Sequence, residues 1–515
     1  MNISFSEIVL LVGVYTIGFL LNTLILKKES SYFLGITSLF SGVGVYFLFA
    51  LPILLILGNT NVMTLSFVGG FMGLTLLFLY MKKTTSIKKD ALAYLISISV
   101  LILMSVFFQY FDFNLFCGDT FHLSSCAKKF SMNPECRIEN IGSLSTWGSF
   151  YLFIQHISVE VGKIYFLSLL PILLICFALT FQALTFKALL LMEVNKMRSF
   201  LTSVFVSLVM ITSPVFLSVT LLLTTNAFLI YYLFLFISFY WMGEATRQNQ
   251  WYLLAYVFMF SAAFTRVEAP IYCTIVLYCM LFKESSQLLV EKKLELFQKF
   301  PPFFNVKSVT IFFIVFSLFY GLLFYIGANS DILSNERALS LMLLFFLMPF
   351  SMILLQLKCF EFIKNNFLNL IILLSFIFLA ALTLIFYKDL KLSIEGIYGN
   401  MADGFWSGIL LYVFSSVVFL FFRKRKKIIL DKSILTSFFL IVFSILVFSL
   451  FRIPFYKSLY DSSNRLFVTV IPIILFYLTL KLYASQPLKL LSVIREFLKK
   501  FSPCCQKQHS SVSKL

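Results

Sequence analysis

Residues 404–422, GFWSGILLYVFSSVVFLFF, run for nineteen positions without a charge, and RKRKK follows at 423–427. Nineteen residues of helix cover about 29 Å, close to the ~30 Å hydrocarbon core of a bilayer. An uncharged run of that length, closed by a block of lysine and arginine, is the pattern of a membrane helix whose last turn meets the cytoplasm.

The same pattern recurs along the chain. Apolar runs bounded by charge fall at 5–26, 33–57, 61–81, 91–111, 163–185, 200–220, 224–242, 251–265, 269–282, 309–327, 338–357, 367–387, 404–422, 433–451 and 466–483. They predict an all-α polytopic membrane protein with about fifteen transmembrane helices, the N-terminus outside and the C-terminus cytoplasmic. Of the 515 residues, 60% are hydrophobic and only 12% charged, against about 25% charged in soluble domains. No soluble core could enclose that much apolar surface. Residues Met1 to Leu26 do not read as a cleaved signal peptide, because the first basic residue, Lys27, follows the apolar run instead of preceding it. Nine cysteines in a chain this long do not make a disulfide scaffold.

The net charge of +18 would fit a nucleic-acid binder, but its placement excludes one. Segments expected inside hold 30 of the 41 Lys and Arg and 10 of the 23 acids, so the inside carries +20 and the outside −2. The basic excess therefore reports topology and anionic lipid, not nucleic acid. From Lys489 to Lys500 a basic amphipathic stretch fits the inner membrane surface. The terminal Ser-Lys-Leu matches a peroxisomal address, but three residues are too few to override the rest.

Three segments on the expected outer side are long or polar enough to carry chemistry: 112–162, 388–403 and 452–465, the last two read as loops. The first opens with Asp112 and Gly118-Asp119-Thr120-Phe121-His122. A carboxylate at a membrane boundary can serve as a general base, and Asp119 can equally cap a short helix that would place His122 one turn on. Cys117, Cys126 and Cys136 lie in the same loop with a spacing that does not match zinc; a disulfide or free thiols fit better. Residues Ser149 to Val161 have the period of an amphipathic helix.

Thr265-Arg266-Val267-Glu268 is the second constellation. Gln250 and Lys283 are 33 positions apart, with cytoplasmic character on both flanks. Two full spans need about 40 residues, so this pair is short, and Arg266 and Glu268 fall at membrane depth. Ionisable groups there mark function or a pinning ion pair. The third is Arg452 to Lys457, followed by Asn464-Arg465, cations on the outer side that would suit an anionic ligand or interfacial snorkelling. No P-loop, dinucleotide fingerprint, metalloprotease motif or internal repeat is present in the sequence.

Taken in order, Gly-Asp-Thr-Phe-His-Leu (118–123), the amphipathic stretch, Thr-Ser-Pro-Val-Phe (212–216), Thr224-Thr225-Asn226, Ala263-Phe264-Thr265-Arg266-Val267-Glu268-Ala269-Pro270, and Asn464-Arg465-Leu466-Phe467 to Ile471-Pro472 resemble the polytopic glycosyltransferases of the C superfamily (GT-C). That group includes protein O-mannosyltransferases and aminoarabinose transferases. The resemblance covers mainly 91–327 and 452–480. It implies a donor of the polyprenyl-phosphate-sugar class, an acceptor that is an envelope lipid, glycan or protein, and inversion at the anomeric carbon. It further implies Asp119 as base, with Asp112 as the alternative. Arg266, Arg452 or Arg465 would face the donor phosphate, with Glu268, His122 and Lys457 nearby. No cofactor is indicated. The organisation expected is three accessory spans in 1–90, a core module in 91–327, further spans in 328–483 and a basic cytoplasmic tail in 484–515, in a bacterial inner membrane with the site on the outer face. A transporter or flippase, and a polysaccharide polymerase or ligase, are the competing expectations.

Overall fold

The computed structural model describes residues 5–26, 29–57, 69–70, 73–77, 79–80, 87–115, 168–222, 226–266, 268–281, 306–329, 366–421, 423–424, 428, 431–451, 462–484 and 486–487, with scattered positions between 339 and 363. They form helices almost throughout. In chain order these are α1 (Phe5–Ile25), α2 (Ser31–Leu57), α3 (Ile87–Tyr110), α4 (Leu169–Leu191), α5 (Lys196–Ile211), α6 (Pro214–Leu221), α7 (Asn226–Thr246), α8 (Asn249–Ala263), α9 (Ala269–Leu281), α10 (Val306–Asn329), α11 (Phe367–Ile385), α12 (Tyr387–Ala402), α13 (Ser407–Phe421), α14 (Asp431–Phe451), α15 (Ser462–Phe467) and α16 (Ile471–Ala484). A single 3₁₀ turn, Val468–Val470, joins α15 to α16.

Six helices are long and apolar enough to cross a membrane, or up to eight if each of two bent pairs counts as one span. The described parts of the expected spans lie largely on helix; 61–81, 163–185, 224–242, 269–282, 338–357 and 404–422 are only partly described. The chain is an integral membrane protein on this criterion. Some of the expected spans are shorter or broken. The run 200–220 divides into α5 and α6, bent by 68°, because Pro214 at the start of α6 has no N–H to continue the α5 ladder. The segment 388–403, expected as a polar loop, is instead helix α12, and it meets α13 at 98°. Its buried positions, Leu390, Ser393, Gly396 and Asn400, repeat at helical spacing. Lys388, Asp389, Lys391 and Glu395 interrupt the run and hide that period. The second expected loop, 452–465, likewise ends in helix, since α15 begins at Ser462.

α7 sits at the centre of the bundle. Every residue from Asn226 to Glu244 is buried, as expected for a helix that is apolar on all sides. It packs along α8 and touches α4, α6, α9, the 3₁₀ turn and α16. Tyr232 donates to the carbonyl of Phe40 on α2 at 3.1 Å, and Phe177 of α4 lies 4.4 Å from the Tyr231 ring. By contrast α3 and α11 are mostly exposed, with Leu95, Leu103, Leu374 and Ile377 all more than half open. In water such patches would aggregate; in lipid they are ordinary.

Helix α1 crosses α2 at close range. A Cβ added to Gly18 would overlap the carbonyl oxygen of Ser38, and one on Gly42 that of Val14. Small residues let backbones approach this closely, and Asn22 Nδ2 then donates to Thr37 Oγ1 at 2.9 Å across the seam. Gly18→Leu is therefore expected to separate the pair and lower stability by about 1–3 kcal/mol or more. Gly13, with open space at its Cβ, is the control: in a thermal melt in nanodiscs, Gly13→Leu should match the wild type while Gly18→Leu melts earlier.

Polar side chains collect at the two ends of the bundle. At one end Lys187 pairs with Glu29 and lies 4.4 Å from the centre of the Trp251 ring. Lys481 pairs with Asp431, which also accepts from the Tyr477 hydroxyl at 2.7 Å. Two-residue strands β1 (Arg423–Lys424) and β2 (Gln486–Pro487) pair antiparallel with Arg423 opposite Pro487, tying the ends of α13 and α16 together. This is the end where the sequence places the cytoplasm. The candidate site lies at the other.

Candidate functional site

The site is built on the turn between α8 and α9. These helices have 15 and 13 residues, or about 22 and 20 Å of rise, so neither crosses a full hydrocarbon core. The short pair expected from the sequence is present. Thr265 closes α8, its Oγ1 donating to the Ala262 carbonyl at 2.6 Å. Glu268 opens α9: its carbonyl accepts from Ile271 N at 3.1 Å, and Ala269-Pro270 follow, with Pro in the first turn, where its missing N–H matters least. Tyr320 of α10 anchors the turn by donating to the Ala263 carbonyl at 2.8 Å.

Arg266 and Glu268 meet on this turn. Arg266 Nε lies 2.6 Å from Glu268 Oε1, a charge pair and not an aligned hydrogen bond. Arg266 Nη1 donates to Asn226 Oδ1. Asn226 is the first residue of α7, so residues 40 positions apart share one guanidinium. The arginine side chain keeps 18% of its surface and the glutamate 11%, enough to meet a ligand and too little for both charges to be freely hydrated. A largely buried pair recovers little of its desolvation cost through Coulomb attraction alone. Asn226 opens α7 and Glu268 directly precedes α9, so both residues that contact this guanidinium sit at helix N-termini.

Of the other expected residues, Asp112 is exposed and its Oδ1 accepts from Asn114 N at 3.0 Å and Asn114 Nδ2 at 2.9 Å. That carboxylate folds the exit of α3 into a turn, a structural use of the residue. The same segment is held at this end, because Leu115 N donates to the Leu221 carbonyl at 2.9 Å, five residues before Asn226. Arg465 is half-buried on α15 in a neighbouring cluster. There Trp406 Nε1 donates to Asn464 Oδ1 at 2.9 Å, and Ser213 Oγ donates to the Phe405 carbonyl at 3.2 Å. Asp119, His122, Cys117, Cys126, Cys136, the stretch Ser149 to Val161, Arg452, Lys457 and the tail from Lys489 lie outside the described residues. Among the described residues no group of three or more His, Cys, Asp or Glu is placed to hold a metal ion.

Two features escape the sequence reading. Asn226 reads only as the start of a span, and nothing in the pattern assigns it to Arg266. Glu7 is fully buried in the first turn of α1. Gln109 Nε2 donates to Ser105 Oγ at 3.3 Å, Ser105 Oγ to Ser168 Oγ at 3.1 Å, and Ser168 Oγ to Glu7 Oε2 at 3.0 Å. An isolated acid inside an apolar run was the available signal.

The sidedness of this end is directly measurable. In a background with all cysteines replaced, Asp112→Cys should react with a membrane-impermeant maleimide on intact cells, and Lys432→Cys, beside the Asp431–Lys481 pair, only after permeabilisation. The reverse pattern would invert the expected orientation. Comparison with models of known protein families, with curated proteins and with solved structures gives no match.

Proposed function

We propose that this chain is a membrane glycosyltransferase that moves a sugar from a polyprenyl-phosphate donor to an envelope lipid, glycan or protein acceptor. The chemistry takes place at the end of the bundle where Arg266 lies, on the outer face of a bacterial inner membrane. One observation carries the reading: a half-buried arginine, braced by Asn226 and Glu268, on a turn between two helices too short to span the bilayer. A lipid-linked donor needs a cation at the membrane boundary for its phosphate and apolar surface for its tail, and this turn offers the cation at that depth. The acceptor hydroxyl or amine attacks the anomeric carbon, the bond from that carbon to the phosphate oxygen breaks, and lipid phosphate leaves with both electrons. The acceptor's proton passes to a carboxylate, Asp119 in this assignment. The reading is tested by incubating the purified protein in nanodiscs with polyprenyl-phosphate sugars and a membrane extract of acceptors, then measuring polyprenyl phosphate release. No release from any donor of that class would defeat it.

Transport of a lipid-linked or small solute is the second reading, favoured by the two bent helix pairs. Their breaks meet: the Phe405 carbonyl accepts from both Ser213 Oγ at 3.2 Å and Val215 N at 3.3 Å. Transporters place their sites at broken helices. Movement of an unmodified substrate across sealed vesicles, without release of polyprenyl phosphate, would select it.

A further inference from the structure

Helix α12 connects two lipid-facing helices. Before it, α11 is long and apolar enough to span the membrane and ends in the exposed Leu384 and Ile385. After it, α13 exposes Leu411 and Phe414 and runs to the Arg423–Pro487 pairing at the far end of the bundle. The angle of 98° between α12 and α13 turns α12 away from the bundle axis, so it lies along the membrane surface.

The 16 residues of α12 divide into three stripes at 3.6 residues per turn. Leu390, Ser393, Gly396 and Asn400 are buried, and the helix packs against α11, α14 and α15. On the opposite side Lys388, Lys391 and Glu395 are exposed, with Lys391 Nζ 3.8 Å from Glu395 Oε1. One flank between these two stripes carries Tyr387, Ile394 and Tyr398, which are 61%, 51% and 73% exposed. Leu392, also exposed, stands alone beyond the charged stripe; a single apolar residue at a surface needs no partner.

The charges of α12 cancel, Lys388 and Lys391 against Asp389 and Glu395. Attraction to anionic headgroups therefore does not hold this helix at the surface. The exposed flank can: tyrosine has an apolar ring and a polar hydroxyl, the combination that settles where acyl chains meet headgroups.

We propose that α12 is an interfacial helix whose Tyr387–Ile394–Tyr398 flank binds the lipid leaflet at this end of the bundle, at the boundary of acyl chains and headgroups. Lys388, Lys391 and Glu395 face water, and the contact is indifferent to anionic lipid. This surface is independent of whether the chain transfers sugar.

The test uses the full-length protein with all cysteines replaced, in nanodiscs of phosphatidylcholine with and without phosphatidylglycerol. A nitroxide is attached singly at Ile394→Cys, Tyr398→Cys and Lys391→Cys, with Tyr387→Cys as the second flank position should Tyr398→Cys unfold the helix. Electron spin resonance then reads collisions with oxygen, which concentrates in lipid, and with a water-soluble nickel chelate. The oxygen-to-nickel ratio should be several-fold higher at 394 and 398 than at 391, and unchanged by phosphatidylglycerol. Nickel access at 394 and 398 equal to that at 391 would place the flank in water and overturn the proposal. Immobilised labels at 394 and 398 that neither reagent reaches would show a protein cover, a second copy or another segment of this chain, and would also overturn it. A ratio that rises with phosphatidylglycerol would assign the contact to charge and defeat the apolar seating.

Discussion

Arg266→Gln is expected to lower sugar transfer by about 10²–10³-fold, the size of effect seen when one preorganised donor to a developing anion is removed. The same change leaves Glu268, only 11% of its side chain open, without its cation. An uncompensated, largely buried charge costs about 3–5 kcal/mol, less here because the pair is partly hydrated. Activity and stability therefore fall together in the single variant, and a second variant separates them. Arg266→Gln combined with Glu268→Gln removes both charges, so its melting temperature should return toward the wild type while transfer stays low. If transfer returns with stability, Arg266 only pins the α8–α9 turn, and the donor-phosphate role is lost. The two measurements needed are a melting curve and a polyprenyl phosphate release assay on the same preparations.

Asp119→Asn should reduce turnover by about 10²–10⁴-fold, the range attributed to a positioned general base, while donor binding persists. Asn keeps the shape of Asp and can still cap a helix, so a purely structural Asp119 would tolerate the change. Asp112→Asn is the paired control. Asp112 Oδ1 already holds both amides of Asn114, and an asparagine oxygen can accept the same two bonds. Its transfer rate should stay within a few-fold of the wild type. Loss of turnover in Asp112→Asn, with Asp119→Asn active, would exchange the two assignments. Normal turnover in both would move the base elsewhere, and Glu7, buried at the end of a hydroxyl chain from Ser105 and Ser168, would be the next residue to change.

Hydropathy read along the chain was sufficient for the membrane class and for the position of nearly every described helix. The reason is local: an uncharged run such as 404–422 must satisfy its own backbone hydrogen bonds in lipid, and helix is the way a single segment does so. The short α8–α9 pair followed from counting residues between Gln250 and Lys283, and the closeness of Arg266 to Glu268 from their spacing of two. Local reading failed where a helix breaks or lies flat. The bend at Pro214 falls inside a continuous apolar run, and the charges of α12 mask a buried stripe that packs against α11, α14 and α15.

What tertiary structure alone decided is which distant groups meet. No pattern links Asn226 to Arg266, Glu7 to Ser168, or Phe405 to Ser213, because each pair is joined by the way helices cross and not by any periodicity along one of them. The same holds for α12. Its charges are legible in the sequence, but which of its faces is left to lipid depends on what the neighbouring helices cover. The amino-acid sequence determined the solvent this protein folds in and the lengths of its spans, since both depend on runs of neighbouring residues. The bundle determined where charge is buried and which faces are left open, since both depend on contacts between residues far apart in the chain.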